Sequence, residues 1–242
     1  RRLADSLSAQ QRFASDAAHE LRTPLTALKL QVQLAQRAKT PEAQQKCFSR
    51  LNEGINRATR LVQQLLTIAR LDPDASKKPM TTINLAELVK SVRDDMAPIA
   101  AQKNIEITED ARPAMLDGME DAIRLMVTNL TDNAIRYTPE GGRIEITSST
   151  EHGLSVLRVC DNGPGIAPKE RSRVFDRFYR ALGTKTSGTG LGLAIVKRIV
   201  DIHHGTVEIE DGLDGRGTIF KLSFPPLGAS SHHTAAVPSS RI

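Results

Sequence analysis

Two apolar seams restrict this chain more than any other feature. In the first, apolar residues stand at Ala14, Ala18, Leu21, Leu25, Leu28, Val32 and Ala35, in alternating steps of four and three. In the second they stand at Phe48, Leu51, Ile55, Ala58, Val62, Leu65 and Ala69. Such spacing keeps a stripe on one side of a helix, as in coiled coils and helical bundles. Thr40-Pro41 breaks the pattern between them, with Pro41 suited to the first turn of a new helix and Thr40 to its cap. Two long helices with so short a joint make an antiparallel hairpin, and a lone hairpin cannot cover both stripes. Two copies are therefore expected to pair into a four-helix bundle, a homodimer.

His19 stands beside the first seam and not in it. An imidazole there stays reachable, and its ordinary pKa near neutrality makes a neutral, nucleophilic nitrogen available. Glu20 is placed to accept a proton from one ring nitrogen and fix the tautomer that leaves the other free to attack. Thr23 lies one turn on, along the same face. Pro24 removes the donor that would meet the Glu20 carbonyl, so the helix is expected to loosen or bend just beyond the histidine. The plain alternative is a surface histidine followed by a kink.

From Leu71 to Thr82 (LDPDASKKPMTT) periodicity disappears, which marks a linker. Beyond it Asn84 and Glu87 form a capping box for a helix with apolar residues at Leu85, Leu88, Val89, Val92, Met96 and Ile99. Ile105 and Ile107 sit in a short strand, and Asp117 with Glu120 is expected to cap a helix ending before Pro139. Residues 143–147, 154–160, 206–210 and 218–224 alternate as half-buried strands, and a last helix, about 191–204, stops at Gly205. The expected architecture is multidomain. An all-α hairpin over 1–71 and a linker over 72–83 precede an α+β sandwich over 84–227, with helices on one face of a mostly antiparallel sheet, and a disordered tail over 228–242. His232-His233 belongs to that tail and is not read as a metal site.

Aromatic residues make up only 3% of the chain and Trp is absent, which removes the stacking platforms of single-strand nucleic-acid binders. The net charge of +5 comes without a basic run, so it permits a phosphate-rich ligand without identifying one. Cys47 and Cys160 show no CxxC or metal-ligand spacing and are expected to be reduced thiols. No apolar run reaches membrane-span length, so no membrane contact is expected within this stretch. A start at Arg1-Arg2, already in helical pattern, reads as part of a longer protein.

Three further segments carry chemistry. Asn129 and Asn133, in TNLTDNAIRYTP, are four apart and face the same way on one helix, where amide oxygens suit a hard cation such as Mg²⁺. Arg136 is close enough to meet phosphate charge. In DNGPGI, Asp161 offers an acceptor matched to an exocyclic amine such as that of adenine, while Gly163 and Gly165 allow a sharp turn or close approach. In SGTGLGLAIVKRIV, Gly188, Gly190 and Gly192 lead into a helix whose N-terminus attracts phosphate. Between the last two runs a lid, RVFDRFYRALGTKTS, with Phe175 and Phe178 as anchors and Arg177, Arg180 and Lys185 as cations.

The order of these pieces resembles the sensor histidine kinases of bacterial two-component systems. HELRTP at His19 to Pro24 is similar to their phosphoacceptor box. Asn129 to Tyr137 is similar to the N box, Asp161 to Gly165 to the first glycine box, Phe175 to Arg180 to the F box, and Gly188 to Gly192 to the second glycine box. The resemblance spans about residues 10–225. It implies an ATP-binding sandwich of the histidine kinase, gyrase and chaperone type, with ATP held by Asn129, Asn133, Arg136, Tyr137, Asp161, Gly163, Gly165, Arg180, Thr189, Gly190, Leu191 and Gly192. Mg²⁺ would rest on Asn129 and Asn133. It implies autophosphorylation of His19, with Glu20 handling the proton, transfer to an aspartate of a response-regulator receiver domain, and dephosphorylation of that partner with Thr23 orienting water. It also implies that these residues form the cytoplasmic portion of an inner-membrane protein. Two rivals remain: an ATPase of the gyrase, mismatch-repair or chaperone kind, which would use a catalytic carboxylate on the helix that here carries Asn129, and a nonenzymatic dimeric scaffold that senses ATP.

Overall fold

The computed structural model describes residues 2–70, 80–180, 188–212 and 215–228. The chain divides into two compact units, 1–70 and 71–242.

In the first unit, α1 (Arg2–Arg37) and α2 (Pro41–Arg70) form a hairpin. The Ala43 N–H bonds to Thr40 Oγ1 at 3.2 Å, so Thr40 caps α2 as its position requires. Helix α1 runs through Pro24 without a break. Around the missing amide, Thr26 donates its hydroxyl to the Arg22 carbonyl at 2.9 Å and Thr23 reaches the His19 carbonyl at 3.5 Å.

Each seam is split. Leu21, Leu28 and Ala35 on α1, and Leu51, Ala58 and Leu65 on α2, are buried or half-buried within the hairpin. The alternate seam positions are exposed, Leu25 at 58%, Val32 at 42%, Phe48 at 45%, Ile55 at 44% and Val62 at 41%. The inner layer is completed by residues outside the apolar count: Pro24 and Gln31 on α1, Cys47, Gly54, Leu61 and Ile68 on α2. Seam residues Ala14 and Ala69 lie outside the described side chains.

The second unit contains strands β1 (Thr81–Asn84), β2 (Glu106–Ala111), β3 (Met115–Gly118), β4 (Arg143–Glu151), β5 (Leu154–Asp161), β6 (Thr206–Asp211) and β7 (Thr218–Phe224). Its helices are α3 (Leu85–Ala101), α4 (Glu120–Tyr137) and α5 (Gly192–Ile202). Five strands order as β2-β4-β5-β7-β6, antiparallel except for the β2–β4 pair. The three helices cover one face, and the core between the layers includes Leu85, Val89, Ile123, Met126, Leu130, Ile144, Ile146, Leu157, Ile195, Ile199 and Leu222.

Three expectations change. Residues 81–83, placed at the end of the linker, form with Asn84 a strand that pairs antiparallel with Met115–Gly118. Backbone pairing with a distant segment leaves no local periodicity to read. Asp117 belongs to that strand and does not cap α4; its carboxylate accepts from Thr82 Oγ1 at 3.3 Å and from the Gly228 N–H at 3.0 Å. The cap residue of α4 is Met119, which offers no side-chain bond. Ile99 leaves the buried stripe of α3, beside Pro98, and Ala100 takes the place. The capping box at the other end of α3 is present, with Asn84 Oδ1 accepting from the Ala86 N–H and Asn84 Nδ2 donating to Glu87, each at 3.1 Å.

Cys160 is buried, which pushes its thiol up to about 11. Cys47 is half-buried, and both cysteines are free. Among the described residues no helix is long and apolar enough to cross a membrane. The stretch 71–79, Lys185 and the tail after 228, with His232 and His233, lie outside the described residues.

Candidate nucleotide and phosphoacceptor sites

His19 and Thr23 are exposed on α1 and share a face one turn apart. The side chain of Glu20 lies outside the described residues.

In the second unit, α4 brings Asn129 and Asn133 to one half-exposed face. The Asn129 amide nitrogen donates back to the Leu125 carbonyl at 2.8 Å, which leaves its oxygen as the atom presented outward. That oxygen faces the start of α5: a Cβ added to Gly192 would lie 3.2 Å from Asn129 Oδ1. Two turns further along α4, Arg136 pairs with Asp132 at 2.7 Å, and a Cβ on Gly188 would lie 3.2 Å from Arg136 Nη1. The glycine-rich run therefore passes along the polar edge of α4, where side chains would fill the gap. Lys103 donates to the carbonyls of Ile135 and Arg136 at 2.9 and 3.1 Å and satisfies the C-terminal turn of that helix. Sequence reasoning gave Lys103 no role, because its partners lie more than thirty residues away.

Asp161 ends β5 and is 6% exposed. Its Oδ1 accepts the Gly163 N–H at 2.8 Å. Burial raises its pKa above the ordinary carboxylate value, opposed by the Gly163 and Thr218 amides. Gly163 is forced by crowding, since a Cβ would sit 2.9 Å from Asp161 Oδ1 and 3.1 Å from the carbonyl of half-buried Tyr137. Across the turn, Gly217 has φ +83° and its Cβ would strike the Asp161 carbonyl, while Gly165 packs on the Gly217 backbone. Thr218 follows Gly217, is 5% exposed and pairs with Asp161 in register. The GRGTIF motif marks this turn in sequence, but not that it closes on Asp161.

The lid segment is tied at several points. Phe175 packs edge-on against Phe220 of β7 with ring centroids 6.4 Å apart. Phe178, at φ +62°, donates its N–H to the Gly190 carbonyl at 2.9 Å. Arg171 binds the carbonyls of Ile166 and Ile209 and pairs with Asp211. Arg177 and Arg180 are exposed at the end of this described segment. Thr189 Oγ1 accepts the Leu191 N–H at 3.3 Å, and Leu191, fully buried, caps α5.

A buried acceptor carboxylate, a helix edge of amide oxygens and a glycine run leading into a helix N-terminus lie in one unit. With a hairpin that displays an exposed histidine, they define a two-module protein: a phosphoacceptor hairpin and a nucleotide-binding sandwich.

Comparison with known proteins agrees. Residues 118–228 match the family described as histidine kinase-, DNA gyrase B-, and HSP90-like ATPase, and residues 9–74 match the His Kinase A (phospho-acceptor) domain. The chain is 40% identical over 225 residues to the sensor protein kinase PmrB of Pseudomonas aeruginosa, covering 93% of this chain and 47% of that protein. It is 42% identical over 209 residues to the sensor protein QseC of Escherichia coli, covering 85% of this chain and 46% of that protein. The solved catalytic domain of histidine kinase ThkA superposes with a TM-score of 0.56 at 30% identity, over 61% of this chain and 96% of that one. The chain belongs to the sensor histidine kinases of two-component systems. It spans about half the length of the curated relatives it matches.

Proposed function

We propose that this chain autophosphorylates His19 from ATP and passes the phosphoryl group to an aspartate of a response-regulator receiver domain. The observation that carries the reading is the close approach of Asn129 Oδ1 to the backbone of Gly192, so tight that a Cβ there would lie 3.2 Å from the oxygen, which brings the amide edge of α4 to the N-terminus of the glycine-run helix where phosphate is attracted. The donor set of Asn129 and Asn133 fits Mg²⁺, a hard cation that keeps few protein ligands and takes phosphate oxygens. When bound, that ion neutralises phosphate charge.

Asp161 accepts the adenine amino group, while Gly163, Gly165 and Tyr137 shape the turn around it. Arg136, Arg180, Thr189, Gly190 and Leu191 line the phosphate side, and the lid excludes water. A neutral nitrogen of His19 attacks the γ-phosphorus in line; the N–P bond forms as the bond to the bridging oxygen of ADP breaks, and the ring proton passes to Glu20. Two copies pair through the exposed half of the hairpin seams. The same bundle dephosphorylates the regulator, with Thr23 orienting the attacking water. These residues form the cytoplasmic portion of a membrane-anchored sensor.

Incubation with γ-labelled ATP and Mg²⁺ tests the reading. Native protein gains acid-labile label, His19→Ala gains none yet still binds nucleotide, and retained labelling of His19→Ala overturns it. Steady ATP turnover without a phosphoprotein would instead identify an ATPase.

A further inference from the structure

Helices α4 and α5 run antiparallel and pack on each other, with polar contacts near the two ends of the packing, about 15 Å apart along either axis. One is the close approach of Asn129 Oδ1 to Gly192. The other is His203, just past the end of α5, whose Nε2 receives the Met119 N–H at 3.1 Å. Met119 is the cap residue of α4 and contributes no side-chain cap. In a capping box the residue at the third helical position takes that amide; here Ala122 stands there and the imidazole of another helix substitutes for it.

The ring is built into its place. It is 4% exposed, its Nδ1 lies 2.7 Å from the Ile199 carbonyl, and it packs edge-on against Phe224 with centroids 6.4 Å apart. Gly118 makes room for it, since a Cβ there would lie 2.9 Å from His203 Cδ2. A carbonyl on one side and an N–H on the other permit one state only, neutral with the proton on Nδ1.

We propose that His203 is a positioning residue for nucleotide binding, holding the asparagine helix in register with the glycine-run helix only while its ring is neutral. Protonation turns Nε2 into a donor facing another donor, so the contact at Met119 opens and the Asn129–Gly192 contact loses the polar bond that sets its register from the other end of the helix pair. Burial lowers the pKa of His203 from its ordinary 6.5, with His204 acting in the same direction. The other ionisable groups on the elements packed against it are Asp117 on β3, Glu120, Asp121, Arg124, Asp132 and Arg136 on α4, Lys197, Arg198 and Asp201 on α5, and Lys221 on β7, which pairs with Glu208 at 3.5 Å. Among them Lys197 and Asp201 are paired with each other at 2.6 Å. The linkage sign follows: below 6.5 the unfolded chain takes up the proton before the folded one does. The contribution of His203 to stability is therefore complete above 6.5 and is lost as pH falls toward the folded value.

The inference rests on the nucleotide reading above, and two measurements on the full chain test it. In ¹⁵N NMR of the native protein at pH 7.5, His203 shows a protonated Nδ1 and an unprotonated Nε2; any other form overturns the assignment. Binding of a non-hydrolysable ATP analogue with Mg²⁺ is then compared between native protein and His203→Gln, whose amide oxygen accepts without titrating, at pH 8.0 and at the acid pH where the same NMR signals show the native ring protonated. The titration of the ligand's own phosphates is common to both and cancels in the ratio of their Kd values. That ratio rises about fivefold toward the acid side, the loss of one hydrogen bond. His203→Leu binds about fivefold more weakly than His203→Gln at both pH values. A flat ratio in protein that binds nucleotide overturns this assignment alone, whereas no binding at either pH overturns the nucleotide reading and the assignment with it.

Discussion

Phe178 and Gly190 are joined backbone to backbone: the Phe178 N–H donates to the Gly190 carbonyl at 2.9 Å, and a Cβ on Gly190 would lie 2.7 Å from Phe178 Cα. Gly190 has φ +70° and Phe178 φ +62°, so the lid and the glycine run hold each other in conformations that side-chain-bearing residues rarely adopt. Gly190→Ala must push the lid away. We expect nucleotide affinity to fall at least about tenfold, a loss of roughly 1.4 kcal/mol, with the hairpin unaffected. Calorimetric titration with ADP measures it, and affinity within twofold of native would show that the lid contact does not shape the site.

Asp161→Asn separates function from stability. The asparagine oxygen still accepts the Gly163 N–H, but the charge that suits an adenine amine is gone, and affinity should fall about 10- to 100-fold. The folded-state pKa of Asp161 is raised by burial, so the ionised carboxylate lowers stability above its unfolded value of 3.8. The variant should therefore melt no lower than native protein at pH 7. Its advantage should vanish as pH falls through the folded pKa to below 3.8, where both states of the native carboxyl are protonated. Thermal unfolding across pH 3 to 7 reads the sign.

The exposed half-seams make a dimer prediction. Ile55 and Val62 stand one heptad apart on α2, at 44% and 41% exposure, along the open edge of the same stripe that holds Leu51, Ala58 and Leu65. Burying the part of each that is still exposed is worth roughly 1 kcal/mol, and a carboxylate in either place forfeits that and adds a desolvation cost. Ile55→Glu with Val62→Glu should give a monomer by light scattering at micromolar concentration with native helicity. A persistent dimer would place the interface elsewhere.

Thr23 shares the exposed face of His19, so its removal should touch water chemistry more than phosphoryl loading. Thr23→Ala is expected to keep autophosphorylation within about threefold, less than the loss of one hydrogen bond, while regulator dephosphorylation falls by at least tenfold. Dephosphorylation of a phosphorylated receiver domain at the native rate would remove that role from Thr23.

By itself the sequence determined whatever rests on local periodicity and local chemistry. The hairpin with its Thr40 cap, the capping box at Asn84, the four alternating strands, the shared face of Asn129 and Asn133, and the glycine turns at 163–165 and 188–192 follow from spacing and side-chain type. The tertiary structure decided what depends on meetings between distant segments. Strand β1 exists because Met115–Gly118 offers it a partner, so residues 81–83 look like linker when read alone. Each seam divides between an inner and an open layer because a helix can press only one side against its neighbour, and Gly54, Gln31 and Cys47 are drawn inside with no apolar signal to announce them. The cap residue of α4 gets its backbone partner from an imidazole 84 positions away. Hydrogen-bond donors must be satisfied wherever they are buried, and only the folded chain settles which acceptor reaches them.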